Sequence, residues 1–158
     1  MYKEITINKL FDEVSRVKGF IIAKGYDKKQ LIDLGTMLKE RKGGIVEINW
    51  LDGADSGNYP SFESLRMKPR FVLKDGEIRS KTVGLIFLQS EPIILIVENF
   101  NILSKEDQQK YVERLCKQEK HDYNTHYYLH EDSIVVLGIR EQDEMPKISY
   151  KLQVRSLM

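Results

Sequence analysis

The stretch that decides the fold covers residues 91–110, EPIILIVENFNILSKEDQQK. Its five successive apolar residues, 93–97, show no alternation with polar side chains, so both faces of this strand must be covered. Strands of this kind occur in parallel sheets flanked by helices. Glu98 follows the run directly, and open α/β sheets place their ligand sites just past the carboxyl ends of their strands. The stretch therefore predicts a buried parallel strand that ends at a candidate functional acid.

Composition bounds the class of protein. The length of 158 residues predicts one domain, residues 1–158, with one sizeable core. The 25 Lys and Arg residues against 24 Asp and Glu give a net charge of +1, so we expect neither nucleic acid nor a membrane as a partner. A single cysteine, Cys116, agrees with a reducing compartment, and the N-terminus lacks a signal-peptide apolar segment. The expected location is the cytoplasm.

Apolar periodicity predicts helices that alternate with strands. Helices are predicted over residues 8–18, from an Asp27 cap to residue 42, over 77–89, and from a Ser104 cap to residue 116. Strands are predicted at residues 20–23, 45–48, 93–97, 134–139 and 148–154, and a polar loop at 51–60. The second helix is expected to bury one face, formed by Leu31, Leu34, Met37 and Leu38. This order indicates an α/β fold, a three-layer α/β/α sandwich with a mostly parallel sheet.

Two segments carry a resemblance to a known family. Residues 71–109, FVLKDGEIRSKTVGLIFLQSEPIILIVENFNILSKEDQQ, place Asp75-Gly76 before the central strand and Gln108 after it. Residues 129–138, LHEDSIVVLG, enter a further apolar strand. This layout resembles the core of an AAA+ ATPase, closest to the MoxR and dynein-related branch. The resemblance implies a P-loop NTPase fold, here without the helical lid, since the chain stops at Met158.

The motifs that carry nucleotide chemistry in that family are degenerate in this chain. A phosphate loop needs G-x-x-x-x-G-K-[ST], whose backbone N–H groups cradle phosphates, but residues 24–30 read KGYDKKQ. Val97 stands where the family has its Mg²⁺-binding Asp. We therefore predict no catalytic residue and no cofactor. Lys28, Lys29 and Glu98 are the cofactor-binding candidates only if a nucleotide binds. Without one, Glu98 is expected as a solvated strand terminus or a helix-cap partner.

The interpretation that follows is a non-catalytic AAA+-like protein-binding module that regulates or completes a larger assembly. The resemblance implies a protein partner such as an AAA+ ATPase ring or a replication factor. Candidate partner-binding residues are Arg155, Arg140 and Glu141, near the family's arginine-finger edge, or Tyr59 in the polar loop with Phe62 just after it. The alternative is a weak nucleotide-binding or ATP-hydrolysing protein that needs a partner.

Three histidines within ten residues, His121, His126 and His130, raise the question of a metal site. Their spacing matches no standard metal-binding pattern and no cysteine accompanies them, so no metal site is predicted. A hairpin that packs its own tyrosine rings is the favoured interpretation of this segment.

Overall fold

The structure is a computed structural model that describes residues 3–6, 8–10, 19–44, 46–54, 70–81, 92–116, 119–121, 125–127, 132–144 and 154–157. The strands are β1 (Lys3–Ile5), β2 (Gly19–Lys24), β3 (Ile48–Asp52), β4 (Arg70–Lys74), β5 (Glu77–Lys81), β6 (Ile94–Glu98), β7 (Glu119–His121), β8 (Thr125–Tyr127), β9 (Ile134–Ile139) and β10 (Val154–Leu157). The helices are α1 (Lys28–Arg41) and α2 (Lys105–Cys116), with a 3₁₀ turn at Phe100–Ile102, and residues 8–10 are also helical. Within these ranges, none of the helices combines the length and the apolar character needed to cross a bilayer.

One mixed sheet holds most of the described strands, in the order β1-β10-β2-β9-β6-β3-β4-β5. Its first six strands are parallel, whereas β4 and β5 are added as an antiparallel hairpin. Strands β7 and β8 form a separate antiparallel pair. The α/β class with a parallel core is thus confirmed, and the antiparallel part was not predicted.

The helix predicted at residues 77–89 was wrong where the structure describes this segment. Residues 77–81 form strand β5, the second strand of the hairpin. Asp75 and Gly76 both have positive φ angles, of 54° and 74°. Two consecutive residues in that conformation form the turn that matches the twist of a two-residue β-hairpin. The Asp-Gly pair therefore turns the chain back on itself, and residues 82–89 lie outside the described residues.

Helix α1 packs on one face of the sheet, called here the helix face. Leu31, Leu34 and Leu38 are buried against strand residues of that face, which include Ile21, Ala23, Ile48, Trp50, Ile94, Ile96, Ile134 and Val136. A Cβ at Gly35 would lie 2.6 Å from the Ile96 side chain, so the glycine lets the helix approach the sheet closely. Met37 is 41% exposed, so its predicted position on the buried face was wrong.

The other predicted elements agree with the structure except at their ends. Strand β6 is buried along its whole length, as is β9, which confirms that both faces of the sheet are covered there. The Ser104 hydroxyl accepts a hydrogen bond from Asp107 N at 3.1 Å, which confirms the predicted cap of α2. Strand β3 begins at Ile48 and extends to Asp52, later than predicted, because its backbone pairs with β6 and β4. The predicted elements at residues 11–18, 55–60 and 148–153 lie outside the described residues.

Candidate functional site

The carboxyl ends of the parallel strands meet at one edge of the sheet, called here the strand-end edge. Strands β6 and β9 are inserted between β2 and β3, so the order along the sheet is interleaved with the order along the chain. Polar or charged residues stand at the end of each of these strands: Lys24 ends β2, Asp52 ends β3, Glu98 ends β6 and Arg140 follows β9. In α/β sheets this is where ligand sites form. The strand-end edge is therefore the candidate site.

Glu98 is buried at this edge, with 11% of its side chain exposed. Its Oε1 accepts a hydrogen bond from the Trp50 indole Nε1–H at 3.0 Å, and Lys28 Nζ lies 3.7 Å from the same oxygen. The expectation of a solvated strand terminus was wrong, because the parallel register brings β3 alongside β6 and places Trp50 over the carboxylate. The indole hydrogen bond to a charged acceptor is the stronger of the two contacts, since the Lys28 side chain is 62% exposed.

The structure thus brings together two of the three residues predicted to meet at a nucleotide. Lys28 is the first residue of α1 and reaches back to Glu98 across the helix face. Lys29 is exposed, and one residue of α-helix turns its side chain by about 100° away from Lys28. Lys28 and Glu98 are therefore neighbours, whereas Lys29 belongs to the outer surface of the helix.

A second polar contact joins the ends of β3 and β6. Asp52 Oδ1 accepts hydrogen bonds from Asn99 Nδ2 at 2.9 Å and from Ala54 N at 2.8 Å. Gly53 N donates to Glu98 O at 2.7 Å, and a Cβ at Gly53 would collide with the Asn99 carbonyl group. Asn99 itself has a φ angle of 55°, a left-handed conformation that asparagine tolerates better than most residues. This contact fixes the backbone that carries Glu98.

Sequence reasoning missed the roles of Trp50, Asp52 and Asn99 at this edge. The only local signals were an Asp-Gly pair after β3 and an Asn directly after the acid, both of which are also typical of ordinary turns. Their contacts join residues 47 or 48 positions apart, so they depend on the strand register.

The loop between β2 and α1, residues 25–27, leads directly into the N-terminus of a helix. Asp27 Oδ1 accepts a hydrogen bond from Gln30 N at 2.8 Å, and Gln30 Oε1 accepts one from Asp27 N at 2.9 Å. This capping box places a carboxylate of the chain itself where a helix N-terminus would bind an anion. Gly25, with a φ angle of 80°, donates its N–H to Ile139 O.

A further carboxylate lies against that loop. A Cβ at Gly25 would collide with Glu141 Oε2, so the Glu141 side chain packs directly over the glycine. Two carboxylates, from Asp27 and Glu141, therefore lie at the loop, and their charge opposes the binding of a phosphate group. Tyr26 lies between Gly25 and Asp27 in the chain, and its partial burial raises the pKa of its hydroxyl.

The candidate partner-binding residues are separated by the structure. Arg140 is exposed after β9 and makes two hydrogen bonds of 3.1 Å to the Asp143 carboxylate, which hold the pKa of Asp143 below its usual value. Arg155 lies within β10, between Lys3 of β1 and Ile21 of β2. Ile21 is level with a β9 residue four positions before Arg140, so the two arginines are offset by about 13 Å along the strands.

The remaining predicted residues add no contact to this site. Tyr59 and Phe62 lie outside the described residues. Among the side chains that the structure describes, no three His, Cys, Asp or Glu residues converge to hold a metal ion. For the three histidines, the structure describes only the backbone of His121 and His126, in the β7–β8 hairpin.

The chain was compared with protein-family models, with curated proteins and with solved structures, and none of them matches it. The class that the fold defines is therefore an α/β protein with a mixed sheet and a polar strand-end edge.

Proposed function

We propose that this chain is a non-catalytic, AAA+-like α/β module that binds a protein partner and thereby regulates or completes a larger assembly. The interleaved strand order supports the α/β part, because β9 and β6 lie between β2 and β3 and bring the ends of these four strands together at one edge, where α/β folds place their sites. A fold is retained by its core, whereas its site can be lost or replaced.

One observation carries the proposal: the chain's own carboxylates occupy the loop where a nucleotide phosphate would bind. The Asp27 carboxylate caps α1, and the Glu141 carboxylate lies over Gly25. Phosphoryl transfer is catalysed mainly by positioned cations and N–H donors, and here the N–H groups of Gly25, Asp27 and Gln30 already have acceptors within the chain. Protein recognition needs neither a phosphate site nor a metal, so it is the function that this edge supports best.

The nucleotide-binding part of the proposal is tested by calorimetry and thermal unfolding with ATP and Mg²⁺. We expect no heat of binding and no change in melting temperature at millimolar ATP, because a ligand that binds only the folded state raises that temperature by mass action. A rise with ATP that inorganic phosphate does not reproduce would overturn the proposal. The loss of that rise in Lys28→Ala would then locate the nucleotide at the strand-end edge.

The protein-binding part is tested by affinity capture from extract of the native host. The bait is the wild-type chain, compared with an Arg140→Ala, Glu141→Ala double variant and with Lys110→Ala, which alters an exposed lysine of α2. Enrichment of an AAA+ ATPase or a replication protein that is lost only in the double variant supports the proposal. Equal capture by all three baits excludes the strand-end edge as the binding surface.

The alternative of a weak nucleotide enzyme is favoured by the Lys28–Glu98 pair. A lysine and a buried acid 3.7 Å apart at the strand-end edge are groups from which a hydrolytic site can be assembled when a partner supplies the rest. ATP turnover that appears on addition of a partner and disappears in Glu98→Gln would establish this alternative.

A further inference from the structure

Strand β5 forms an edge of the mixed sheet. It pairs with β4 on one side, and among the described residues no strand pairs with its other side. Glu77, Arg79 and Ser80 are exposed, while Ile78 is partly buried because it packs against the core under α1. As far as the described residues show, the outer side of β5 is therefore open to a further strand.

The hairpin geometry decides which backbone groups of β5 point outward. In a hairpin with a two-residue turn, the residues that flank the turn, here Lys74 and Glu77, exchange hydrogen bonds with each other. Hydrogen-bonded and non-bonded pairs alternate along an antiparallel ladder. Arg79 therefore also bonds to β4, whereas the N–H and C=O groups of Ile78 and Ser80 point away from β4, towards the outer side of the strand.

The charges on β5 fit a second copy of the same strand. Glu77 and Arg79 lie on the same face of the strand, and Arg79 Nη2 lies 2.9 Å from Glu77 Oε2. In an antiparallel pair centred on Ile78, each Glu77 stands opposite Arg79 of the second copy, and the two Ile78 residues exchange their outward hydrogen bonds. A pair centred on Arg79 would place the two Arg79 side chains opposite each other, although Glu77 would then face Lys81 of the second copy. One centred on Ser80 would place Arg79 opposite Lys81 and leave Glu77 opposite a residue beyond β5.

We propose that the chain forms a symmetric homodimer in which β5 pairs antiparallel with β5 of a second copy, centred on Ile78. The pairing continues the mixed sheet across the twofold axis. Charged side chains at a sheet edge usually discourage pairing with arbitrary strands. Here they favour one register and one partner, because both Glu77 and Arg79 stand opposite a charge of the other sign only when Ile78 faces Ile78. The dimer is independent of the strand-end edge and of the proposed function.

The test is the mass in solution, measured by sedimentation equilibrium from about 10 µM to about 1 mM, the range in which small interfaces associate. The wild-type chain should rise from 18.5 kDa towards twice that mass. Arg79→Glu should weaken dimerisation at least about tenfold, because two symmetric attractive pairs become repulsive. Lys110→Glu, which makes the same charge change at an exposed ion pair on α2, should dimerise as the wild type does.

The register is tested by exchanging the charges. The Glu77→Arg, Arg79→Glu double variant restores opposite charges across the axis and should recover dimerisation. Ser80→Pro should weaken it, since it replaces an N–H that points outward with a proline ring and leaves the bonds to β4 in place. Circular dichroism of each variant confirms that the chain is folded.

Amide hydrogen exchange shows directly whether the outward backbone groups of β5 become hydrogen-bonded in the dimer. The amide of Ile78 should exchange at least about tenfold more slowly at the highest protein concentration than at the lowest, whereas the Arg79 amide, bonded to β4, should not change. A chain that stays monomeric up to about 1 mM overturns the proposal. So does a dimer that persists in Arg79→Glu and Ser80→Pro, or one that the charge exchange does not restore, because another surface would then form it.

Discussion

The indole Nε1–H of Trp50 donates a hydrogen bond to Glu98 Oε1 at 3.0 Å, across the neighbouring parallel strands β3 and β6. Trp50 is 3% exposed, so its N–H has little access to water as an alternative partner. The acid that ends the central strand is therefore held by the core of the protein on one side and by Lys28 on the other. A carboxylate in this position stabilises the fold whether or not it also binds a ligand.

Glu98→Ala should lower the free energy of unfolding by about 1–3 kcal/mol, because it leaves the buried Trp50 N–H without an acceptor. Glu98→Gln keeps an oxygen acceptor and should cost less. Urea unfolding checks both variants, with the fluorescence of Trp50, the single tryptophan of the chain, as the probe. Equal stability of Glu98→Ala and the wild type would mean that this hydrogen bond contributes nothing.

Asn99→Ala should destabilise the protein by about 1–3 kcal/mol, through the lost hydrogen bond to Asp52 and the strain of a left-handed alanine. Asn99→Gly removes the same hydrogen bond but adopts the positive φ angle freely, so it should be the milder change. The two variants are compared by thermal unfolding. A larger loss for glycine than for alanine would contradict the role given to the φ angle.

The ion pair of Arg140 and Asp143 should make a contribution to stability that depends on pH. The hydrogen bonds from Arg140 lower the pKa of Asp143 in the folded state, so the folded chain binds the proton less readily than the unfolded chain. The contribution is present above the ordinary pKa of the carboxyl, 3.8, and is lost as the pH falls through the lower folded value.

This pH dependence is measured by following the carboxyl carbon of Asp143 by NMR. In Arg140→Gln the titration midpoint of Asp143 should rise towards the ordinary aspartate value, because the charged donor has been removed. Lys105→Gln, which breaks the exposed pair with Glu144, is the control and should leave the midpoint where it is. An unchanged midpoint in Arg140→Gln would show that another group lowers this pKa.

Much of the fold could be predicted because some local patterns have only one physical explanation. Uninterrupted apolar runs gave β2, β6 and β9, since a strand without polar positions must be covered on both faces. Asp27 and Ser104 gave the starts of α1 and α2, since each side chain satisfies an N–H within three residues along the chain. These rules depend only on residues a few positions apart, so they can be applied without knowing which distant residues pack against the segment.

The rest depends on contacts between distant parts of the chain. Strand β5 alternates charged residues with Ile78 and Ser80, a period of two that is typical of a strand and that the helix prediction over residues 77–89 missed. The Asp75-Gly76 turn makes this strand the second half of a hairpin. At the candidate site, Lys28 and Glu98 were predicted as members of one set, and they are neighbours. The packing of Glu141 on Gly25 joins two loops more than a hundred residues apart, and it depends on β9 lying beside β2.

The final prediction concerns Asn49, which is 1% exposed on β3, on the face of the sheet opposite to Trp50. Its neighbours across the sheet are Val72 and Leu95, and neither amide atom has a hydrogen-bond partner among the described residues. Burying an amide without partners costs free energy that a leucine of similar size does not. Asn49→Leu should therefore raise the free energy of unfolding by about 1–2 kcal/mol, measured by urea unfolding. Asn49→Asp, which adds a charge at the same position, should lower it. A loss of stability in Asn49→Leu would mean that the amide is satisfied by a bound water in solution.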